Sequence, residues 1–186
     1  MLGERFDRAL GLASELHRQQ LRKESGVPYV SHLLAVCSLA LEHGADEDQA
    51  IAALLHDAVE DQGGLPTAAR IRALFGDRVA ELVLALTDAV VVPKPPWRQR
   101  KELYLVHLAA APLDVLLVSC CDKIHNARSI LADHRQSGAS LWSRFTGGRD
   151  GTLWYYRELA AIFARRGPPI PAQLLGELAA AMQRLA

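Results

Sequence analysis

Apolar residues recur at spacings of three and four along nearly the whole chain, and no segment alternates convincingly at period two. That spacing gathers the apolar side chains of each segment on one face of a helix and gives a sheet nothing to build on. The expected fold class is therefore all-α, a single-domain helical bundle of about eight to ten helices. Helices are expected over Glu4 to Gln20, Pro28 to His43 and Asp46 to about Asp61, the last opened by a capping box of Asp46 with Gln49. Others are expected over Pro66 to Phe75, onward through Thr87, Trp97 to Ala110, Leu113 to about Ala132, Thr152 to Arg166 and Ala172 to Ala186. Leu21 to Val27, Val90 to Pro96, Gly147 to Gly151 and Gly167 to Pro171 read as connections, each marked by glycine or proline.

At 186 residues the chain suits one domain, taken as 1–186, with 167–186 carrying the terminal helix. Lys and Arg number 21 and Asp and Glu 21, so no basic field of the kind nucleic acid requires is present, and no nucleic-acid partner is expected. The most apolar stretch, Val79 to Val92, is interrupted by Glu81 and Asp88 and is too short to span a bilayer, so no membrane association is expected either. Cys37, Cys120 and Cys121 lie in apolar runs with no disulfide or zinc spacing, which fits buried thiols in a reducing cytoplasm.

The chemistry concentrates at the end of the third helix. His56, Asp57, Glu60 and Asp61 follow the apolar turn Ala52-Ala53-Leu54-Leu55, and as one continuous helix they would crowd a single end of it. Buried acids cost several kcal/mol each unless paired or metal-bound, and few bases lie nearby in sequence, so a bound cation is the economical explanation. The alternative, a solvated acidic helix end, sets carboxylates against the helix dipole. One helix cannot enclose a metal, and further ligands must come from others. His32 sits on an otherwise apolar helix, where it reads as a ligand or a hydrogen-bonded core histidine. Asp122 follows Leu116-Leu117-Val118-Ser119-Cys120-Cys121, where it reads as a ligand or a partner of Lys123 or Arg128.

Taken in order, His32, His56-Asp57 and Asp122 resemble the HD superfamily of metal-dependent phosphohydrolases. More narrowly they resemble the hydrolase domain of the RelA/SpoT alarmone enzymes and its stand-alone relatives of the metazoan SpoT-homologue type. The matching stretches are Arg22-Lys23 with Pro28-Tyr29-Val30-Ser31-His32, Ala53 to Asp61, Phe75-Gly76, Asp122-Lys123-Ile124-His125-Asn126-Ala127-Arg128 and Thr152-Leu153-Trp154-Tyr155-Tyr156, spanning roughly residues 10 to 165. No synthetase-like segment accompanies them, so the bifunctional members are expected to be excluded by length.

The resemblance implies an HD-domain fold and a divalent ion held by His32, His56, Asp57 and Asp122. Mn2+ is favoured over other divalent transition metals because the ligands mix imidazole with carboxylate. It implies that Glu60 and Asp61 orient or deprotonate the attacking water. Arg22, Lys23, Lys101, Asn126, Arg128 and Tyr156 would contact a small-molecule nucleotide. The activity implied is cytoplasmic hydrolysis of guanosine 3′,5′-bis(diphosphate), or its triphosphate analogue, with release of the 3′ pyrophosphate by metal-activated water in the stringent response. The alternatives are an HD phosphohydrolase acting on another nucleotide, such as a nicotinamide cofactor carrying a 2′-phosphate, or a non-catalytic nucleotide-binding HD module. The sequence departs from the family pattern at Leu33, where proline is common, and after Asp61, where Gln62-Gly63-Gly64 replaces a usual threonine.

Overall fold

The structure is a computed structural model that describes residues 1–22, 26–90, 93–166 and 171–185. Lys23 and parts of the connections expected at Val90 to Pro96 and Gly167 to Pro171 lie outside the described residues. Among the described residues ten α-helices and one 3-10 helix follow one another, with no strand beyond an isolated bridge between Leu21 and Pro28. The helices are α1 (Glu4–Leu16), α2 (Val30–Glu42), α3 (Glu47–Leu55), α4 (Ala58–Asp61), α5 (Leu65–Phe75) and α6 (Asp77–Leu86). After them come α7 (Trp97–Ala110), α8 (Leu113–Ser137), the 3-10 helix Gly138–Arg144, α9 (Gly148–Arg166) and α10 (Ala172–Leu185). The all-α reading holds. None of the helices is long and apolar enough to cross a membrane.

The helix α3 lies at the centre. Every residue from Gln49 to Leu55 is buried, as expected of a helix apolar on all sides, and it packs against α1, α2, α6 and α8. Its start is fixed as the sequence indicated: Asp46 accepts from the Gln49 N–H at 2.9 Å while the Gln49 side chain accepts from the Asp46 N–H at 2.9 Å. The first half of α8 is its counterpart, with Val115 to Asp122 all buried, and α2 contributes His32, Leu33 and Val36. The three cysteines are free and buried in this core.

Four expected boundaries differ, each for a local reason. The first helix ends at Leu16 instead of Gln20, because the chain there turns to pair with the segment before α2, Tyr29 N–H donating to Gln20 C=O at 2.9 Å. The third helix does not run to Asp61. It breaks at His56-Asp57, where His56 Nδ1 donates to the Ala53 carbonyl at 2.8 Å and takes up the acceptor that a continuing helix would offer to the Asp57 N–H. The helix α8 runs on to Ser137, its end marked by Gly138 at a φ of 58°. Gly147 to Gly151, expected as a loop, is helical from Gly148 onward. A Cβ on Gly147 would lie 2.6 Å from the Trp97 indole and one on Gly151 3.2 Å from it, so these glycines serve the close approach of α7 to α9.

Candidate metal centre and active site

The break between α3 and α4 positions the central group. Because His56 Nδ1 donates to Ala53, Nε2 is the nitrogen left to face the carboxylates, free to hold either a metal or a second proton, and it is buried with no hydrogen-bond partner. It lies 3.0 Å from Asp57 Oδ2 and 3.7 Å from Asp122 Oδ1. His32 enters from α2, its Nε2 lying 3.5 Å from Asp57 Oδ2 and 3.2 Å from Asp122 Oδ1, and its Nδ1 2.8 Å from Nδ1 of His125. Two ligands about 2.1 Å from one ion, at angles between octahedral and tetrahedral, are separated by roughly 3.0 to 3.5 Å. Three of the nitrogen–oxygen separations, at 3.0, 3.2 and 3.5 Å, fall in that range, and the fourth, His56 to Asp122 at 3.7 Å, lies just beyond it. Two imidazole nitrogens facing two carboxylates, one of them an orphaned buried acceptor, fit a divalent cation. His32, His56 and Asp57 alone bring one ligand atom each within 4.8 Å of the others, and Asp122 closes the group from α8.

The electrostatics agree. Burial opposes the charged form of His56, but the Asp57 and Asp122 carboxylates outweigh it and hold its pKa well above the ordinary value. Burial likewise opposes ionisation of Asp57, yet His56 and His32 hold it well below the usual carboxylate range. Asp122 is also depressed against its burial, chiefly by the Lys123 ammonium. Without metal, a proton on His56 occupies the role of the cation. Asp122 Oδ2 pairs with Lys123 at 2.6 Å, while Oδ1 faces the histidines and accepts from Asn126 Nδ2 at 2.6 Å. Asn126 Oδ1 in turn accepts from Arg22 at 2.9 Å.

Asp57 and Asp122 form one wall of a cavity of about 180 Å³. Glu60 and Asp61, on α4, line it beside them. Glu60 Oε1 accepts from Lys94 at 2.8 Å and Oε2 from the Asp88 N–H at 3.2 Å. Asp61 Oδ2 accepts from Gln20 at 2.8 Å, and its other oxygen lies 3.8 Å from the Lys94 ammonium. Lys101, Lys123, Tyr104 and Tyr155 line it as well, Lys123 on the Asp122 side through their ion pair. Lys101 pairs with Asp88 at 2.7 Å, yet burial and the nearby Lys123 charge lower its pKa.

The HD domain family matches residues 9–153. The chain belongs to the HD domain family. The guanosine-3′,5′-bis(diphosphate) 3′-pyrophosphohydrolase MESH1 of Xenopus tropicalis is 36% identical over 125 residues, covering 66% of this chain and 67% of that protein. The probable GTP pyrophosphokinase of Mycobacterium leprae is 38% identical over 125 residues, covering 66% of this chain but only 15% of that protein. A solved metazoan ortholog of SpoT, described as hydrolysing ppGpp, superposes with a TM-score of 0.80 at 26% identity and covers 99% of this chain and 97% of its own.

Within this HD domain the expected contact residues divide. Lys101 and Asn126 line the cavity, and Arg22 reaches it through Asn126. Lys23 lies outside the described residues. Arg128 turns away: it pairs with Glu177 of α10 at 2.8 Å and lines a separate groove between α8 and α10. Two positions past Asn126 on a helix is about 200° of rotation, which carries it to the far face. Tyr156 is buried in the core and does not line the cavity; its neighbour Tyr155 does. Lys123 stood in the sequence reading only as a counter-ion for Asp122.

Tyr29 was overlooked. It donates to Asp57 Oδ2 at 2.6 Å, stacks on His17 and meets His32 edge-on. Its place three residues, and so one helical turn, before His32 was the available signal. Burial and the Asp57 charge hold its phenol far above its ordinary pKa, so it stays a donor. Outer hydrogen bonds to metal ligands are worth about 10- to 100-fold in affinity. Tyr29→Phe is therefore expected to weaken divalent-metal binding by about that factor at unchanged stoichiometry, as measured by calorimetric titration of the metal-free protein.

Proposed function

We propose that this chain is a metal-dependent phosphohydrolase that removes the 3′ pyrophosphate of guanosine 3′,5′-bis(diphosphate) or its triphosphate analogue. One observation carries the proposal: the imidazole and carboxylate group shares one cavity with two further acids and two lysines. That arrangement suits an ion, an attacking water and a polyphosphate in a single space. The likeness to the metazoan SpoT ortholog over 99% of the chain supports the substrate.

His32, His56, Asp57 and Asp122 would hold the metal, and the mixture of imidazole and carboxylate favours Mn2+. Bound there, a divalent ion acidifies the attacking water and supplies positive charge at the reacting phosphorus. Asp61, with Glu60 beside it, orients that water and accepts its proton. Lys101 and Lys123 offer positive charge to the phosphate chain within the cavity, and Arg22 holds Asn126 against Asp122. Water adds to the phosphorus carried by the 3′ oxygen, that phosphorus–oxygen bond breaks, and the ribose oxygen leaves and takes a proton. The products are pyrophosphate and GDP or GTP. Buried free cysteines and the absence of a membrane-crossing helix among the described residues support a cytoplasmic setting.

The test is a panel of phosphorylated nucleotides incubated with Mn2+-loaded protein, with the released group identified by mass. Pyrophosphate from the guanosine bis(diphosphate) is expected. Orthophosphate from a 2′-phosphorylated nicotinamide cofactor, with the guanosine compound untouched, would replace this reading.

A further inference from the structure

A chain of side-chain hydrogen bonds runs behind Asp61, from outside the cavity and from residues that no motif contains. Gln20, in the turn after α1, sends Nε2 to Asp61 Oδ2 at 2.8 Å. Its Oε1 receives two hydrogen bonds, one from Gln62 Nε2 and one from His17 Nδ1 at 2.7 Å. The direction of this chain follows from one fact: an ionised carboxylate can only accept. The Gln20 amide must therefore turn its NH2 toward Asp61. Its oxygen then faces Gln62 and His17, both of which must donate. His17 is thereby held with its proton on Nδ1, which agrees with its Nε2 being buried and without a partner.

The amide cannot flip without setting its oxygen against the carboxylate and its NH2 against two donors. The backbone is fixed as well. Gln20 N–H donates to His17 C=O at 3.0 Å, and Gln20 C=O accepts from Tyr29 N–H at 2.9 Å, which ties this turn to the start of α2. Gln20 lies outside the cavity lining, and its side-chain NH2 meets the site at Asp61.

We infer that Gln20 is a positioning residue for the hydrolytic reaction: it occupies one oxygen of Asp61 and thereby sets the plane in which the other oxygen faces the cavity. The inference rests on the proposed role of Asp61 in handling the attacking water. Gln62 and His17 act one step further back, by fixing which end of the Gln20 amide faces the acid. The neighbouring acid has no such arrangement, since Glu60 is held by Lys94 and by the Asp88 N–H.

The experiment is a double-mutant cycle with Gln20→Ala, Asp61→Asn and the pair, each loaded with Mn2+ and assayed on guanosine 3′,5′-bis(diphosphate). A lost hydrogen bond to a charged group corresponds to a fall in kcat on the order of 10- to 100-fold, with little change in KM or in bound metal. Gln20→Glu, which keeps the size and removes the donor, should lose at least as much and guards against a packing defect. The decisive result is non-additivity: in the Asp61→Asn background, Gln20→Ala should cost nothing further. A fall that multiplies through in the double variant, or a Gln20→Glu protein with full kcat, overturns the inference. If Asp61→Asn itself leaves turnover intact, the assignment of Asp61 fails first and the positioning role falls with it.

Discussion

His56→Ala is expected to abolish both divalent-metal binding and pyrophosphate release, with turnover falling by about three orders of magnitude or more. The reason is geometric as well as chemical. His56 occupies the break between α3 and α4, and its Nε2 is buried without a hydrogen-bond partner. Without it, Asp57 and Asp122 retain only His32 as a shared nitrogen neighbour, and no second ring closes the group.

The same residue sets the pH dependence. Its pKa is raised in the metal-free fold, so its contribution to stability is present below the unfolded value, near 6.5, and is lost as pH rises through the folded value. Asp57 and Asp122 are depressed, so theirs is present above the unfolded carboxylate range and lost as pH falls through the folded values. Metal must displace the His56 proton. Metal affinity in the wild type is thus expected to rise with pH, and proton release to accompany uptake. Calorimetric titrations in buffers of different ionisation enthalpy check this.

Glu60→Gln and Asp61→Asn should leave metal binding near wild type while lowering kcat by about 10²- to 10⁴-fold, the usual range for a lost general acid–base group. The larger fall is expected for Asp61. Both Glu60 oxygens are engaged, by Lys94 and by the Asp88 N–H, whereas Asp61 has one oxygen held by Gln20 and the other 3.8 Å from Lys94. Steady-state kinetics alongside metal content measured on the same samples separates loss of chemistry from loss of metal.

Much of this site was legible in the chain because helical spacing and ligand order are local properties. Asp46 and Gln49 announced the start of α3, and the apolar turn before His56-Asp57 marked where buried ionisable groups must sit. The break at His56 was not legible, since it depends on one side chain competing with the backbone for the Ala53 carbonyl. The family resemblance assigns Arg128 and Tyr156 to the substrate, but the face that each presents is set by packing of α8 on α10 and of α9 on α7. Gln20 and Tyr29 could not be read as partners of Asp61 and Asp57, because those contacts span 41 and 28 residues.

The most direct test of the account is a titration of Mn2+ into metal-free protein during continuous measurement of pyrophosphate released from guanosine 3′,5′-bis(diphosphate). The rate is expected to be near zero without metal, to rise up to one equivalent per chain and to level off beyond it. Release that is already complete without metal, or nucleotide binding with no pyrophosphate at any metal loading, would contradict it.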